Sequence, residues 1–129
     1  GSPRRARGER LGGAVEGATG FSGERDAVLR ALRERGVRNL VVLAADVHHA
    51  EVIRHEPAPG WPLWELIAGP LSATLGQPRP LDASLHPRSL FAMGAIENFG
   101  EVQVEADALT VRIVDRQGVV TFTHAIPAR

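Results

Sequence analysis

Apolar and polar positions along this chain fall into runs with different periods. Val28, Leu29 and Leu32 recur at helical spacing, with Arg30, Arg33 and Glu34 off the stripe, which predicts an amphipathic helix. Ser22 is positioned to cap it, Glu24 and Asp26 put negative charge in its first turn, and Arg33 and Arg35 put positive charge in its last, as the helix dipole favours. Gly36 is placed to end it. Val37-Arg38-Asn39 then leads into Leu40–Ala45, an uninterrupted apolar run that reads as a strand covered on both faces, as in a parallel sheet. Period-two alternation dominates the other end of the chain. Phe99–Glu105, Leu109–Asp115 and Val119–Ile126 alternate, with turn signals at Ala106-Asp107 and Gln117-Gly118, so a three-stranded antiparallel meander is expected.

The middle is less regular. Glu51–His55 is too short for periodicity to separate a short helix from an edge strand. Pro57, Pro59, Gly60 and Pro62 mark a loop; Trp61, Leu63, Trp64, Leu66 and Ile67 suggest a strand that turns at Gly69-Pro70. Residues 71–89, punctuated by Pro78, Pro80 and Pro87, read as one long loop, and a loop of that length often borders a site.

Composition narrows the class. A chain of 129 residues with 43% hydrophobic content suits one ordinary globular domain. Fifteen basic residues balance fifteen acidic ones, so no overall field argues for nucleic acid or an anionic membrane. Without cysteine, disulfides and thiolate metal sites are excluded within this chain. No apolar run approaches the ~20 residues of a membrane-spanning helix, and the first residues lack the apolar segment of a secretory signal. Residues 1–20, with Arg4, Arg5, Arg7 and Arg10 followed by four glycines, have few large apolar side chains. They are expected to form a flexible basic, Gly-rich arm, which leaves 21–129 as the folded part.

Chemistry gathers where the Leu40–Ala45 run ends, at Asp46-Val47-His48-His49. In open α/β sheets ligands bind beyond the carboxyl ends of the strands, and a carboxylate with imidazoles can bind a metal or move protons. Asp46 could instead cap a turn, and either histidine could be a packed residue. His55, His86 and His124 read as surface or internally satisfied groups, and Trp61 and Trp64 as packing groups. Asn98 reads as a turn-shaping residue, with a place facing the site as the alternative.

Several separated stretches resemble the C-terminal part of PhoD-like alkaline phosphatases, within the calcineurin-like metallophosphoesterases. They are Phe21 with Glu24-Arg25, Gly36-Val37-Arg38-Asn39, Val41 to Ala50, Trp64-Glu65-Leu66, Gly69-Pro70-Leu71-Ser72, and Glu97-Asn98-Phe99-Gly100 with the meander. The resemblance spans roughly residues 16–127 in the family's order. It implies an α/β fold, part of a metallophosphoesterase β-sandwich flanked by helices and ending in the antiparallel meander. It also implies phosphomonoesterase or phosphodiesterase chemistry with Asp46 and His48 as metal ligands. His49 is the catalytic candidate, touching either the phosphate or a carboxylate behind the ligands. Carboxylate oxygen with imidazole nitrogen suits iron, zinc and manganese, while carboxylate alone can serve calcium. Where the family usually has Gly before the Asp, this chain has Ala45.

The resemblance further implies that the remaining ligands come from Asp-x-His, Gly-Asp-x-x-Asp and Gly-Asn-His-type motifs of an N-terminal half that is absent here. Two ligands do not make a hydrolytic centre. The expectation is therefore a hydrolase part, inactive alone, with a phosphoester substrate and the missing half as partners, and with no nucleic acid and no membrane span. Family members are often exported, but the compartment is left open. A non-catalytic β-rich interaction module, or a degenerate fragment, is the alternative.

Overall fold

The computed structural model describes residues 21–129; the arm expected over residues 1–20 lies outside them. Helix α1 spans Ser22–Glu34. Its N-cap is Phe21, without a side-chain cap, and Ser22 is the first helical residue rather than the capping one. The C-terminus follows the expected chemistry. Gly36 adopts φ 72°, its amide donates to the Arg33 carbonyl, and the Val37 amide donates to the Leu32 carbonyl. That pair of bonds is the Schellman arrangement, which glycine permits because it has no Cβ. Of the apolar stripe only Leu29 is fully buried, and Val28 faces solvent.

Seven strands form two sheets. β1 (Val41–Ala44), β2 (Ala50–Ala58), β3 (Trp61–Ile67) and β4 (Arg88–Met93) make the first, in the order β1-β3-β2-β4. β1 runs parallel to β3, and the other pairings are antiparallel. β5 (Asn98–Val104), β6 (Ala108–Asp115) and β7 (Val120–Pro127) make the second, an antiparallel meander in the expected order. The described fold is therefore mostly β with one α-helix, and its β1 sits at a sheet edge. The expectation that Leu40–Ala45 is covered on both faces does not hold for the described residues, since Leu43 is 69% exposed. Glu51–His55, read as a short helix or an edge strand, lies in the central strand β2, between β3 and β4. β4 was hidden in sequence by Pro87 and Gly94 at its flanks; the pairing of Val52 with Phe91 and Ala50 with Met93 makes it a strand.

The sheets pack face to face. Val52 and Leu66 of the first meet Val111 and Ile126 of the second in one buried cluster, with Val41, Trp64 and Leu109 against it. Phe91 stacks on Phe122 with ring centroids 4.5 Å apart, and Trp64 lies 5.1 Å from the His124 ring. On the far face of the first sheet, Leu29 of α1 packs with Leu63 and Leu85. Each fully buried aliphatic side chain contributes about 1.5–3 kcal/mol, so the first sheet is stabilised from both faces. Arg25 ties the helix to the short 3-10 turn Ala83–Leu85 by bonding Asp82 at 3.0 Å and Ser84 at 3.3 Å.

Candidate functional site

The chain leaves β1 at Ala44 and crosses to β2 through Ala45–His49. Two residues of this short connection adopt left-handed backbone angles, Asp46 at φ 68° and His48 at φ 60°. Non-glycine residues rarely do so, and such strain persists only where surroundings over-determine the conformation. Ala45 is not among the residues with positive φ, so its methyl group meets no conformational penalty there.

What holds the loop is identifiable. The Val47 side chain is buried against Ile53 and Ile67, which pins the middle of the loop to the sheet. His49, with no exposed surface, places its Nδ1 3.2 Å from the Val47 carbonyl and its Nε2 3.1 Å from a Glu51 carboxylate oxygen. A carbonyl can only accept, so His49 Nδ1 carries the proton of the first bond. From outside, the Gly76 amide donates to the His48 carbonyl at 2.8 Å, and the Gly76 carbonyl accepts from Ala95 at 2.9 Å. A Cβ at Gly76 would lie 2.8 Å from the His48 oxygen and 3.0 Å from that of Val47, and one at Gly94 would lie 2.6 Å from the Gly76 oxygen. The stretch around Gly76 is thus wedged between the 47–48 backbone and Gly94, and only glycines fit.

The loop's side chains divide sharply. Asp46 is exposed and His48 half-buried, and neither side chain makes a hydrogen bond or ion pair with any described residue. Val47 and His49 point inward. The sequence-predicted ligands therefore share one loop with their donor atoms uncommitted, whereas His49 is committed internally on both nitrogens. A carboxylate oxygen and an imidazole nitrogen suit iron, zinc or manganese. Among the described residues no group of three or more His, Asp or Glu side chains is arranged to hold a metal ion.

Further along β2, the first sheet buries a second histidine hydrogen-bonded to a glutamate. His55 Nε2 lies 2.8 Å from a Glu65 oxygen, both side chains being at most 1% exposed, and His55 Nδ1 has no partner. Glu51 and Glu65 were visible in sequence as charges inside otherwise apolar runs; Gly76 carried no signal beyond being a glycine in a loop. Asn98 shapes a turn as expected, exchanging bonds of 2.9 Å with both backbone groups of Gly69. His86 caps the 3-10 turn in a left-handed conformation.

Phe21 caps α1, Gly36–Asn39 leads into β1, Trp64–Leu66 pairs beside it, and Gly69-Pro70 is clamped by Asn98, so several of the separated stretches that resemble one family adjoin in space. Neither a curated protein nor a solved structure matches the chain. Residues 4–123 match the PhoD-like phosphatase family. Because that match covers nearly the whole sequence, the chain belongs to the PhoD-like phosphatase family.

Proposed function

We propose that this chain carries the Asp-x-His corner of a metal-dependent phosphoester hydrolase centre, with Asp46 and His48 as ligands, and that it is inactive without the missing N-terminal half. The family supports phosphoester hydrolysis at the general level, and its phosphatases are generally metal-dependent. The observation that carries the finer reading is the contrast within one loop. Its backbone is strained and braced, yet its carboxylate and one imidazole have no partner among the described residues. A metal in such a site supplies Lewis acidity and an activated water. Asp46 and His48 would hold it. His49 is a positioning residue that keeps the Val47 carbonyl, and hence the two ligands on either side of it, in register. Its complete burial argues against direct contact with phosphate.

Two ligands are too few, and the exposed inner faces support a partner that supplies the rest and completes a metallophosphoesterase sandwich. Leu43 follows Val41 on the face of β1 that joins the core, yet it is open to solvent. Val102 and Val104 pair with Val111 and Leu109, which lie in or against that same core, yet Val104 is 75% exposed. Apolar inner faces left uncovered are the mark of an interaction surface.

The test is to combine the chain with the family's N-terminal half and follow p-nitrophenyl phosphate hydrolysis with and without chelator. Activity should appear only in the mixture. Asp46→Asn should lower it by more than the roughly 10–100-fold typical of losing an outer-shell partner. Asn tolerates the left-handed angle at position 46, so folding should be unaffected. Full activity in both Asp46→Asn and His48→Ala would overturn the assignment.

A further inference from the structure

A cleft of about 230 Å³ lies on the opposite side of the fold's chemistry, between α1, the β2–β3 turn and the 3-10 turn, and none of the site-loop residues lines it. Its floor is apolar and fixed: Leu29, Ala58 and Leu85 are all buried. Trp61 forms one wall, and its ring is held in place by donating from Nε1 to the Val37 carbonyl at 2.8 Å. The other wall is α1, clamped to the 3-10 turn by the Arg25–Asp82–Ser84 bonds.

Two guanidinium groups border this cleft, Arg30 and Arg33. Three residues apart on a helix, they are neighbours on one face. Both are exposed, and neither makes a hydrogen bond or ion pair with any described residue. Asp26 also lines the cleft and stands four residues before Arg30, but its carboxylate is bonded by Arg25 at 2.8 Å. Arg25 serves both Asp26 and Asp82, so with Arg30 and Arg33 three guanidinium groups face two carboxylates, and among the described residues the rim is net positive above a preformed apolar floor and a fixed indole. Such a combination of a few polar groups on an apolar cavity is the usual make-up of a small-molecule site.

We infer that this cleft binds a small amphiphilic anion, a compact ring or short chain bearing a phosphate-like or carboxylate head. The head meets Arg30 and Arg33, since guanidinium forks match phosphate and carboxylate oxygens. The apolar body lies against Trp61 and Leu85. The volume, about eight waters' worth of liquid, fits a single-ring ion. This site is independent of the proposed hydrolytic centre, and its occupancy needs no metal.

The experiment is an amide NMR titration of the full chain with phenylphosphonate, which carries both features and cannot be hydrolysed at a phosphoester bond. Chelator in the buffer silences any metal-dependent site. Inorganic phosphate and benzyl alcohol, each carrying one feature, are titrated in parallel. Shifts are expected at residues 26–33, 57–61 and 84–85, with phenylphosphonate the tightest of the three. The double variant Arg30→Gln/Arg33→Gln, at two exposed positions, should bind roughly tenfold or more weakly, as loss of charged donors to an anion implies. Arg116→Gln, an exposed arginine elsewhere, should bind as the parent does. Shifts outside the cleft, undiminished binding by the double variant, or phenylphosphonate no tighter than benzyl alcohol would each overturn the proposal.

Discussion

The two sheets bury different things. Within the meander, Val111, Ile113, Val114 and Ile126 are the buried side chains, with Asn98 at its first residue turned to the Gly69–Pro70 backbone. The first sheet and the loop it carries bury two histidines and two glutamates alongside their aliphatics. Apolar packing alone suffices to hold a meander. Buried His–Glu hydrogen-bonded pairs, by contrast, add little net stability for the desolvation they require. Both pairs lie in the sheet that carries the Ala45–His49 loop, and not in the meander, and one of them, His49–Glu51, holds the loop's end to β2.

Breaking one pair gives the largest expected effect. Glu65→Ala leaves both nitrogens of the buried His55 without partners among the described residues and should destabilise the fold by about 1–3 kcal/mol for the unsatisfied group, plus the cavity left by the side chain. Ile126→Val in the inter-sheet core should cost only about 0.5–1.5 kcal/mol, and urea unfolding of both variants measures the difference. Equal losses would show that the two sheets are held alike.

A smaller contrast comes from glycine. Gly76→Ala drives a methyl group against the 47–48 carbonyls, at about 1–3 kcal/mol for forced repacking, and should shift the amide resonances of Val47 and His48. Gly118→Ala, in the turn between β6 and β7, meets nothing within 4 Å. Its φ of 81° alone should cost about 1–2 kcal/mol, and the perturbation should stay within that turn. Matching perturbations at the site loop from both variants would break the comparison.

The smallest effect is electrostatic. Burial alone would raise the Asp82 carboxyl, but hydrogen bonds from the Ser84 hydroxyl and amide, with the Arg25 guanidinium, hold it below its ordinary value. A carboxyl depressed in the folded state adds stability above its unfolded pKa, and that stability is lost as pH falls through the folded value. The link between α1 and the 3-10 turn should therefore weaken below about pH 4. Hydrogen exchange along α1 should speed up there before exchange in the meander does. Asp82→Asn should abolish that acid sensitivity, and the partial exposure of the pair keeps the effect small.

Local pattern made part of this fold legible. The meander alternates with a period of two and carries its own turn residues, so its strands, order and hairpins followed from the residues themselves. The end of α1 followed from Gly36 in the same way. Asp46 and His48 were legible as candidates because they interrupt the chain directly after an apolar strand. β4 was not, since Arg88–Met93 has no periodicity of its own and becomes a strand only by pairing with β2. The placement of Glu51–His55 at the centre of a sheet also depended on neighbours distant in sequence.

What the sequence alone determined is whatever rests on contacts between near neighbours: the helix end, the alternating strands, the identity of the acid and imidazole at the β1 tip. Only the tertiary structure decided which of the adjacent histidines has no partner among the described residues. His48 and His49 are the same residue type in the same loop, and their difference arises because Glu51 and the Val47 carbonyl receive one ring while Gly76 pins the backbone beside the other. Val47 and Glu51 lie only two residues from His49, but Gly76 is brought in by folding, and no local pattern encodes which of the two rings turns into the core.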